Sequence, residues 1–279
     1  MSGVSSELSF ATSGANIWSD VGQISRILWP GIDAIEIGSL AAPEDLSTVL
    51  SATAQSGLRW AAHAPLWRTG LKRDQFGKNG FGAESMRQLE GDFAVAAEGG
   101  ADYVLLHFPS FADRSLPAAQ ARSQVERSMG DLRALTRRHR LEAILELKLG
   151  KHRDPGVIGY VIAGELDVLA GGEFGICLDV GDWLVATRAL DVDPLAAFER
   201  LAPVTRVLHV HGVHQLPDAY YWRPLHPLDP DAPVVAALCR AALRASPKVR
   251  VVFEHKPHNF GEAYDLEGLR WLQGALQQT

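Results

Sequence analysis

The stretches YVLLHFP at Tyr103–Pro109 and VRVVFEH at Val249–His255 set the fold of this chain. Each is a short, largely apolar run that leads to an ionisable residue at the end of the run, His107 in the first and Glu254 in the second. Continuous rather than alternating apolarity is typical of parallel strands that are buried on both faces. The two stretches therefore predict strands of a parallel sheet whose carboxyl ends carry polar side chains.

Eight such runs recur along the chain, and helical patterns fill the intervals between them. The predicted strands are Leu8–Thr12, Asp33–Ile37, Leu58–Ala64, Tyr103–Phe108, Glu142–Leu147, Phe174–Asp179, Arg206–His211 and Val249–Glu254. The predicted helices are Asp20–Leu28, Pro43–Ser56, Ala83–Glu98, Leu116–His139, a segment from Asp154-Pro155 to near Gly171-Gly172, a short one from Asp193-Pro194, Ala232–Ala245 and Tyr264–Leu276. Strict alternation indicates parallel strands joined by right-handed crossovers.

Eight strand–helix units predict an α/β protein with a single (β/α)8 TIM barrel domain over residues 1–279. The alternative is an open doubly wound sheet. A dinucleotide-binding sheet of that kind has a glycine-rich phosphate motif after its first strand, and the segment Thr12–Asn16 does not fit that motif. In the barrel, the long segments Trp67–Gly82 and Val213–Ala232 are loops on the catalytic face, because both follow strands.

The composition is that of an ordinary globular protein, with 47% hydrophobic residues, 22% charged residues and a net charge of −6. It argues against a nucleic-acid partner, since no basic stripe appears. A local basic patch stays open, with Arg68, Lys72, Arg73 and Lys78 as its candidates. The cysteine count of two, the lack of a signal pattern and the lack of an apolar run of roughly 18 residues predict a cytoplasmic protein that does not span a membrane.

Ionisable residues fall at or near the carboxyl ends of six successive predicted strands, the third to the eighth. They are His63, His107, Glu146, Asp179, His211 and Glu254. In a barrel these ends converge on one pocket. Imidazoles and carboxylates that converge make a divalent-metal site, and an ion is an efficient partner for carboxylates that follow apolar runs.

Each of these residues also has a plainer interpretation. A lone histidine after an apolar strand is often a hydrogen-bonded structural residue. Asp179, which precedes Gly181, fits a turn or a helix cap. Glu146 fits an ordinary ion pair with Lys148 or Lys151. The series of six, rather than any one member, favours the metal site.

The strand-end motifs, in their order along the chain, resemble those of the xylose-isomerase-like barrel superfamily. These motifs are HAP at His63–Pro65, LHFP at Leu106–Pro109, LEL at Leu145–Leu147, CLDVGD at Cys177–Asp182, HVHG at His209–Gly212 and FEH at Phe253–His255. That superfamily includes sugar isomerases, sugar epimerases and apurinic endonuclease family 2. The resemblance implies a metal held by Glu146, Asp179, His211 and Glu254. The mixed imidazole and carboxylate ligands favour Mn²⁺ or Zn²⁺, with Mg²⁺ and Co²⁺ as further candidates.

Other residues are additional candidates for metal or substrate binding. The resemblance implies that His63 and His107 bind further zinc or line the substrate pocket. Asp182 stands where the family usually has histidine in Asp-x-x-His, so its role as a metal ligand or a substrate contact stays open. His209 points to the same side as His211, and we expect it one layer below. The last two candidates are Arg223, as an anion or hydroxyl clamp, and His226.

Three functions fit these residues. The first is a sugar or sugar-phosphate isomerase or epimerase, in which Glu146 and Glu254 transfer a proton through an enediolate beside the metal. The second is a metal-dependent phosphodiesterase or phosphoester hydrolase. The segments CLDVGDWL and LHVHGV, together with His226, also resemble the cobamide-remodelling phosphodiesterase branch of the superfamily. The apurinic endonucleases are a second branch that hydrolyses phosphoesters. The third is a binding barrel without catalysis. The predicted partner is a sugar, sugar phosphate, other polyol or phosphoester, and Leu116–His139 is a candidate homodimer surface.

Overall fold

The protein is described here from a computed structural model that covers residues 7–68, 81–109, 116–150, 154–215, 220–246, 248–255 and 262–277. Within these residues, eight parallel strands form a closed barrel. They are β1 Glu7–Ser13, β2 Ala34–Ile37, β3 Arg59–His63, β4 Tyr103–His107, β5 Glu142–Leu147, β6 Gly175–Asp179, β7 Thr205–Val210 and β10 Lys248–Phe253, while β8 at Gly212–Gln215 and β9 at Tyr220–Arg223 lie outside the barrel. The order around the barrel is β1-β10-β7-β6-β5-β4-β3-β2. The predicted TIM barrel is confirmed, and each predicted strand overlaps an observed one.

Helices surround the barrel. They are α1 Pro43–Gln55, α2 Ala83–Glu98, α3 Ala118–His139, α4 Gly156–Ile162, α5 Val180–Ala189, α6 Pro194–Phe198, α7 Ala232–Ala245 and α8 Glu262–Gln277. Short 3-10 helices add to them at Gly14–Ile17, Val21–Ile27, Asp167–Gly171 and Ala202–Val204. None of the helices in the described residues is long and apolar enough to cross a membrane.

The helix predictions were wrong in two crossovers. The segment predicted as Asp20–Leu28 is a 3-10 helix, Val21–Ile27, in which Gly22 and β-branched residues lower the propensity for an α-helix. The helix predicted from Asp154 to Gly171 ends at Ile162. Gly164 follows in a left-handed conformation with φ of 75°, which stops the α-helix before the 3-10 turn begins.

Two elements were missing from the prediction. Helix α5 begins directly at the end of β6, inside the segment that carries the CLDVGD motif. Within the predicted loop Val213–Ala232, β8 at Gly212–Gln215 pairs with β9 at Tyr220–Arg223 in an antiparallel hairpin. This hairpin stands beside the strand ends and brings Trp222 to the cavity described below.

The interior of the barrel has an apolar layer between two polar ones. Small and apolar side chains form this layer, among them Ala11, Ala34, Ala61 and Val252, all with 0% exposure. Two residues earlier on the first and last barrel strands, the buried Ser9 and Arg250 contact each other. The polar layer at the carboxyl ends of the strands is the one that lies where this fold leaves room for a site.

Asp92 on α2 is a buried carboxylate that holds the segment after β3. The N–H of Leu66 donates to its Oδ2 at 3.2 Å, and Gln88 Nε2 donates to its Oδ1 at 2.8 Å. Burial, which these two donors offset only in part, raises the pKa of Asp92 to about 7. The folded chain therefore binds a proton here that the unfolded chain has already lost.

We expect Asp92 to make the protein less stable as the pH rises from about 4 to about 7, because a raised carboxyl pKa favours the folded state only while the proton is bound. From about pH 8.5 down to about pH 5.5, the wild type should gain roughly 2 kcal/mol in unfolding free energy relative to Asp92→Asn. Urea unfolding at both pH values measures this difference. An equal pH response in the two proteins would contradict the raised pKa.

Candidate active site

The carboxyl ends of the barrel strands surround one cavity of about 670 Å³. Its wall includes five of the residues predicted at strand ends, namely His107, Glu146, Asp179, His211 and Glu254. The sixth, His63 at the end of β3, lies against Glu146 and is 2% exposed. The barrel therefore brings all six side chains of the predicted series to one place.

Glu146 is a nearly enclosed carboxylate on β5. Its Oε2 lies 3.2 Å from His63 Nε2 and 3.2 Å from His107 Nε2, and its Oε1 lies 3.0 Å from Lys148 Nζ. Burial alone would raise the pKa of Glu146, but the charges of Lys148 and the nearby histidines outweigh it and hold that pKa well below its usual range. Glu146 is therefore ionised. It makes the predicted ion pair with Lys148 and two histidine contacts besides, whereas Lys151 lies outside the described residues.

Asp179 serves as a helix cap and faces the cavity at the same time. Its Oδ1 accepts from the N–H of Asp182 at 2.9 Å, which caps α5, and lies 3.0 Å from His211 Nε2. Lys148 Nζ donates to its Oδ2 at 2.9 Å. Burial is again outweighed, first by the charge of Lys148, so the pKa of Asp179 lies well below its usual value. The capping role and a role in the site are therefore compatible.

Gly181 gives His211 its place beside Asp179. A Cβ atom at position 181 would lie 2.1 Å from His211 Cε1, closer than any side chain can approach. Only glycine lets the imidazole lie against the first turn of α5. The glycine in Asp179-Val-Gly-Asp182 thus has a packing reason in this chain.

Glu254 is the carboxylate most open to the cavity among those that contact histidine in the barrel centre. Its side chain is 16% exposed, and its Oε2 lies 2.6 Å from His209 Nδ1. Ser13 Oγ donates to its Oε1 at 3.2 Å. Burial raises the pKa of Glu254, but the charge of His209 outweighs that effect and holds the pKa far below its usual range. Glu254 is therefore an ionised carboxylate with one face toward the cavity.

Beneath Glu254, His209 connects the site to the centre of the barrel. Its Nε2 lies 2.9 Å from Glu36 Oε1, and Tyr103 donates its hydroxyl to Glu36 Oε2 at 2.8 Å. With a carboxylate at each ring nitrogen, His209 sits one layer below the cavity wall, where the sequence had placed it. Glu36 was not predicted. The sequence signal for it is a single charged residue inside the apolar strand Ala34–Ile37.

Lys148 lies among three carboxylates. Its Nζ is 3.0 Å from Glu146 Oε1, 2.9 Å from Asp179 Oδ2 and 2.6 Å from Asp182 Oδ2. Burial lowers the pKa of Lys148, but the charges of Asp179, Asp182 and Glu146 outweigh it, so the pKa lies well above its ordinary value. The ring of Trp222 lies 5.3 Å from Nζ. Lys148 follows Glu146 by two residues and so shares its side of the strand, a signal that was available in the sequence.

Asp182, which stands where the resembling family usually has histidine, contacts Lys148 through its Oδ2 at 2.6 Å. Its side chain is 1% exposed. Burial and the neighbouring charge of Asp179 raise the pKa of Asp182 to about 6, even though Lys148 acts in the opposite direction. The residue is therefore the carboxylate of this cluster that is most readily protonated.

Two predicted residues lie away from this cluster. Arg223 Nη2 donates to Asp229 Oδ1, and His226 Nε2 lies 3.4 Å from Glu267 Oε2. Neither lines the cavity. Their roles as a clamp or a ligand are therefore not supported by this geometry.

The cavity wall also holds residues that were not predicted for the metal site. His255 lines it, and its N–H donates to Asn16 Oδ1 at 2.9 Å. Arg68, a candidate for the basic patch, lines it as well, and its guanidinium donates to the carbonyl oxygens of Trp18 and Ser39. The other candidates for that patch, Lys72, Arg73 and Lys78, lie outside the described residues.

The carboxylates are close enough to share one divalent ion. Oxygen atoms of Glu146, Asp179 and Glu254 lie within 4.8 Å of one another. Ligand oxygens on opposite sides of an ion such as Mg²⁺ are separated by roughly 4 Å, so this set fits the size of an ion. Within the described part of the chain, His211 is not in this group, since its Nε2 turns to Asp179. A second group of mutually close ligand atoms is His63, His107 and Glu146.

Comparison with known proteins establishes the fold. No protein-family model matches the chain, and no curated protein matches it. A D-tagatose 3-epimerase-like protein is 14% identical, with 97% of this chain and 98% of the other covered and a TM-score of 0.69. IolI with a bound zinc atom is 12% identical, with coverage of 97% and 95% and a TM-score of 0.63. A magnesium complex of a xylose isomerase-like TIM barrel protein from Mycobacterium smegmatis is 14% identical, with coverage of 94% and 89% and a TM-score of 0.59. The chain has the xylose isomerase-like TIM-barrel fold.

Proposed function

We propose that this xylose isomerase-like barrel is an isomerase or epimerase of a sugar or sugar phosphate. The observation that carries the proposal is the meeting of Glu146 and Glu254 in one cavity, with carboxylate oxygens within 4.8 Å of each other and of Asp179. Of two ionised carboxylates that face the same space, one can remove a proton from a carbon beside a carbonyl. The proton that is returned comes from that residue, now protonated, or from the other after it takes up a proton from solvent. The fold shared with an epimerase-like protein supports this reaction type.

Glu254 acts as the base in this proposal. It is the more exposed carboxylate of the pair, at 16% against 1% for Glu146. Because its pKa is low, Glu254 is ionised at neutral pH, which a base requires. His209 and Ser13 contact both of its oxygens and fix its orientation toward the substrate.

Glu146, Asp179 and Glu254 would hold a divalent ion, and His211 would become the fourth ligand if its Nε2 turned from Asp179 to the ion. The ion would be Mn²⁺ or Zn²⁺ in the first place and Mg²⁺ or Co²⁺ otherwise. When bound, the ion would polarise the substrate carbonyl and stabilise negative charge on its oxygen. The nearness of the carboxylate oxygens supports this assignment. The bound zinc and magnesium of two proteins with the same fold support it as well.

A phosphoester hydrolase is the second candidate, and one observation favours it. His63 and His107 form a further group of ligand atoms with Glu146, beside the first group. Two ions that share a carboxylate suit the attack of water on a phosphodiester, with one ion at the attacking and one at the leaving oxygen. Trp222 on the cavity wall would suit a ring-shaped substrate, as the cobamide-like resemblance implies.

Partner and location complete the proposal. A cavity of about 670 Å³ is of the size that takes a small molecule. Cys177 and Cys239 are buried free thiols, which supports a location in the reducing cytoplasm. A homodimer through α3 remains a prediction, since a solvated barrel exterior explains the same helix.

Solvent exchange tests the proposal whichever product forms, because the label marks the carbon that loses its proton. We expect the protein, supplied with Mn²⁺ in D₂O, to place deuterium on one carbon beside the carbonyl of a ketose or aldose from a panel of free and phosphorylated five- and six-carbon sugars. Mass spectrometry and NMR would locate the label and identify the epimer or isomer. Cleavage of phosphodiesters, with no deuterium in any sugar, would replace the proposal with the hydrolase.

A further inference from the structure

Side-chain nitrogens lie close to both oxygens of Glu146 and to both oxygens of Asp179, the two innermost carboxylates. Glu146 Oε2 lies between two histidine nitrogens, and its Oε1 lies 3.0 Å from Lys148 Nζ. Asp179 Oδ1 accepts from the α5 backbone and lies 3.0 Å from His211 Nε2, and its Oδ2 accepts from Lys148 at 2.9 Å. A metal ion shared by these two residues would therefore meet the ammonium of Lys148, which contacts both of them.

Lys148 is the partner that stands in the place of an ion. Its Nζ contacts Glu146 and Asp179, two of the three carboxylates that are close enough to share a metal. A divalent ion binds oxygen at about 2.0–2.2 Å, well inside the reach of an ammonium group on the same oxygen atoms. An ion that bridges the same two oxygens, Glu146 Oε1 and Asp179 Oδ2, would therefore have to displace the ammonium.

Asp182 is suited to hold the ammonium in this place. It makes the shortest of the three contacts, at 2.6 Å, and is 1% exposed. A cation beside a buried carboxylate stabilises its ionised form. A histidine at position 182, which the family resemblance leads one to expect, would not hold an ammonium as a carboxylate does. The ion pair therefore gives a reason for both features, the aspartate at position 182 and the inward orientation of Lys148.

We propose that the ammonium of Lys148, held by Asp182, is the resident cation of this carboxylate cluster and that divalent metal must compete with it for Glu146 and Asp179. The wild type then binds metal weakly for a site with three carboxylates. The proposal concerns the occupancy of the cluster, and it holds whichever reaction the cavity supports.

Metal titration of the full chain tests this proposal. Chelator-treated wild type, Lys148→Met and Lys248→Met would be titrated with Mn²⁺ and followed by the electron paramagnetic resonance of the free ion. We expect Lys148→Met to bind Mn²⁺ at least tenfold more tightly than the wild type. Lys248→Met, which removes one positive charge at the exposed start of β10, should bind as the wild type does. Equal affinity in Lys148→Met and wild type would overturn the proposal.

A second variant distinguishes displacement of the ammonium from a mere change in net charge. It also provides a second test if Lys148→Met alone folds poorly. Lys148→Met combined with Asp182→Asn removes one charge of each sign, so the cluster keeps the net charge of the wild type. The proposal predicts that this double variant still gains at least tenfold in Mn²⁺ affinity, because Glu146 and Asp179 are released. A gain seen in Lys148→Met but absent from the double variant would contradict direct competition and leave charge as the cause.

Chemical labelling checks the wild type itself. Lys148 is 14% exposed, so an acylating reagent should label it slowly in the metal-free protein. Mn²⁺ that displaces the ammonium should raise this labelling, measured by mass spectrometry against Lys248 as the internal reference. Tight binding of Mn²⁺ with labelling of Lys148 unchanged would overturn the proposal. Because none of these measurements reads catalysis, their failure leaves the proposed isomerase untouched.

Discussion

Glu254→Gln is expected to lower the rate of proton exchange between a sugar substrate and solvent by about 10²–10⁴-fold, the usual contribution of a general base. Glutamine has nearly the same shape and can still accept from Ser13 Oγ, which contacts Oε1 at 3.2 Å. It cannot take up a proton from carbon. The loss should therefore fall on kcat, with KM little changed, and deuterium incorporation from D₂O under single-substrate conditions measures it.

The matched control is Glu267→Gln on α8. That carboxylate is 56% exposed and lies 3.4 Å from His226, far from the cavity wall. We expect exchange at the wild-type rate in this control. Glu254→Gln that keeps more than a tenth of the wild-type exchange rate, with its fold intact by circular dichroism, would remove Glu254 from the proposed base role.

Glu146 is a less informative target for the same experiment. Its carboxylate contacts Lys148, His63 and His107 at 3.0–3.2 Å and is 1% exposed. Removal of its charge would take one of three carboxylate partners from the Lys148 ammonium, and breaking a buried ion pair commonly destabilises a protein by roughly 3 kcal/mol or more. A loss of activity in Glu146→Gln would therefore mix chemistry with folding. The folding effect is smaller in Glu254→Gln, because Glu254 is 16% exposed and His209 keeps its contact with Glu36.

The strands were predictable because burial on both faces leaves a clear trace in the sequence. A strand such as Tyr103–His107 has apolar residues at nearly every position and one polar residue at its end, which marks both its course and its direction. The same trace placed His63, His107 and Glu254 at one end of the barrel. Parallel closure then brings such residues together, whatever contacts their side chains make there.

Helix α5 could not be found in this way. It starts at Val180, directly after the strand, so no loop separates the two elements. Asp179 and Gly181 are typical turn residues, so the sequence favours a turn here. In the structure, Asp179 caps α5 and Gly181 packs closely against His211. Eight of the ten residues in α5 are buried, which removes the amphipathic period by which surface helices are recognised.

The contacts within the site were also beyond the sequence. Lys148 was visible only as an ordinary partner for Glu146, because the positions of Asp179 and Asp182 relative to β5 depend on the register between strands. Glu36 lies on β2, far along the chain from His209, and only barrel closure brings the two within 2.9 Å. Strand ends can be predicted residue by residue, whereas pairings across the barrel need its geometry.

Trp183→Ala is expected to lower the free energy of unfolding by about 3–5 kcal/mol, the usual cost of removing a buried aromatic side chain. Trp183 is fully buried in α5, and its ring meets Phe198 edge-on with 6.2 Å between centroids. Its Nε1 donates to the carbonyl oxygen of Pro194 at 3.0 Å. The ring therefore fixes α5 against α6, and with α5 it fixes Asp182 beside Lys148.

Trp18→Ala provides the matched control, because Trp18 is 59% exposed and its ring contributes little burial. We expect a change within about 0.5 kcal/mol for this variant, as for most exposed positions. Urea unfolding followed by far-UV circular dichroism compares the two variants with the wild type. A loss of less than about 1 kcal/mol in Trp183→Ala would contradict the prediction, because removal of a well-packed buried aromatic ring usually lowers the unfolding free energy by more than this. It would mean that α5 is held chiefly by its cap at Asp179.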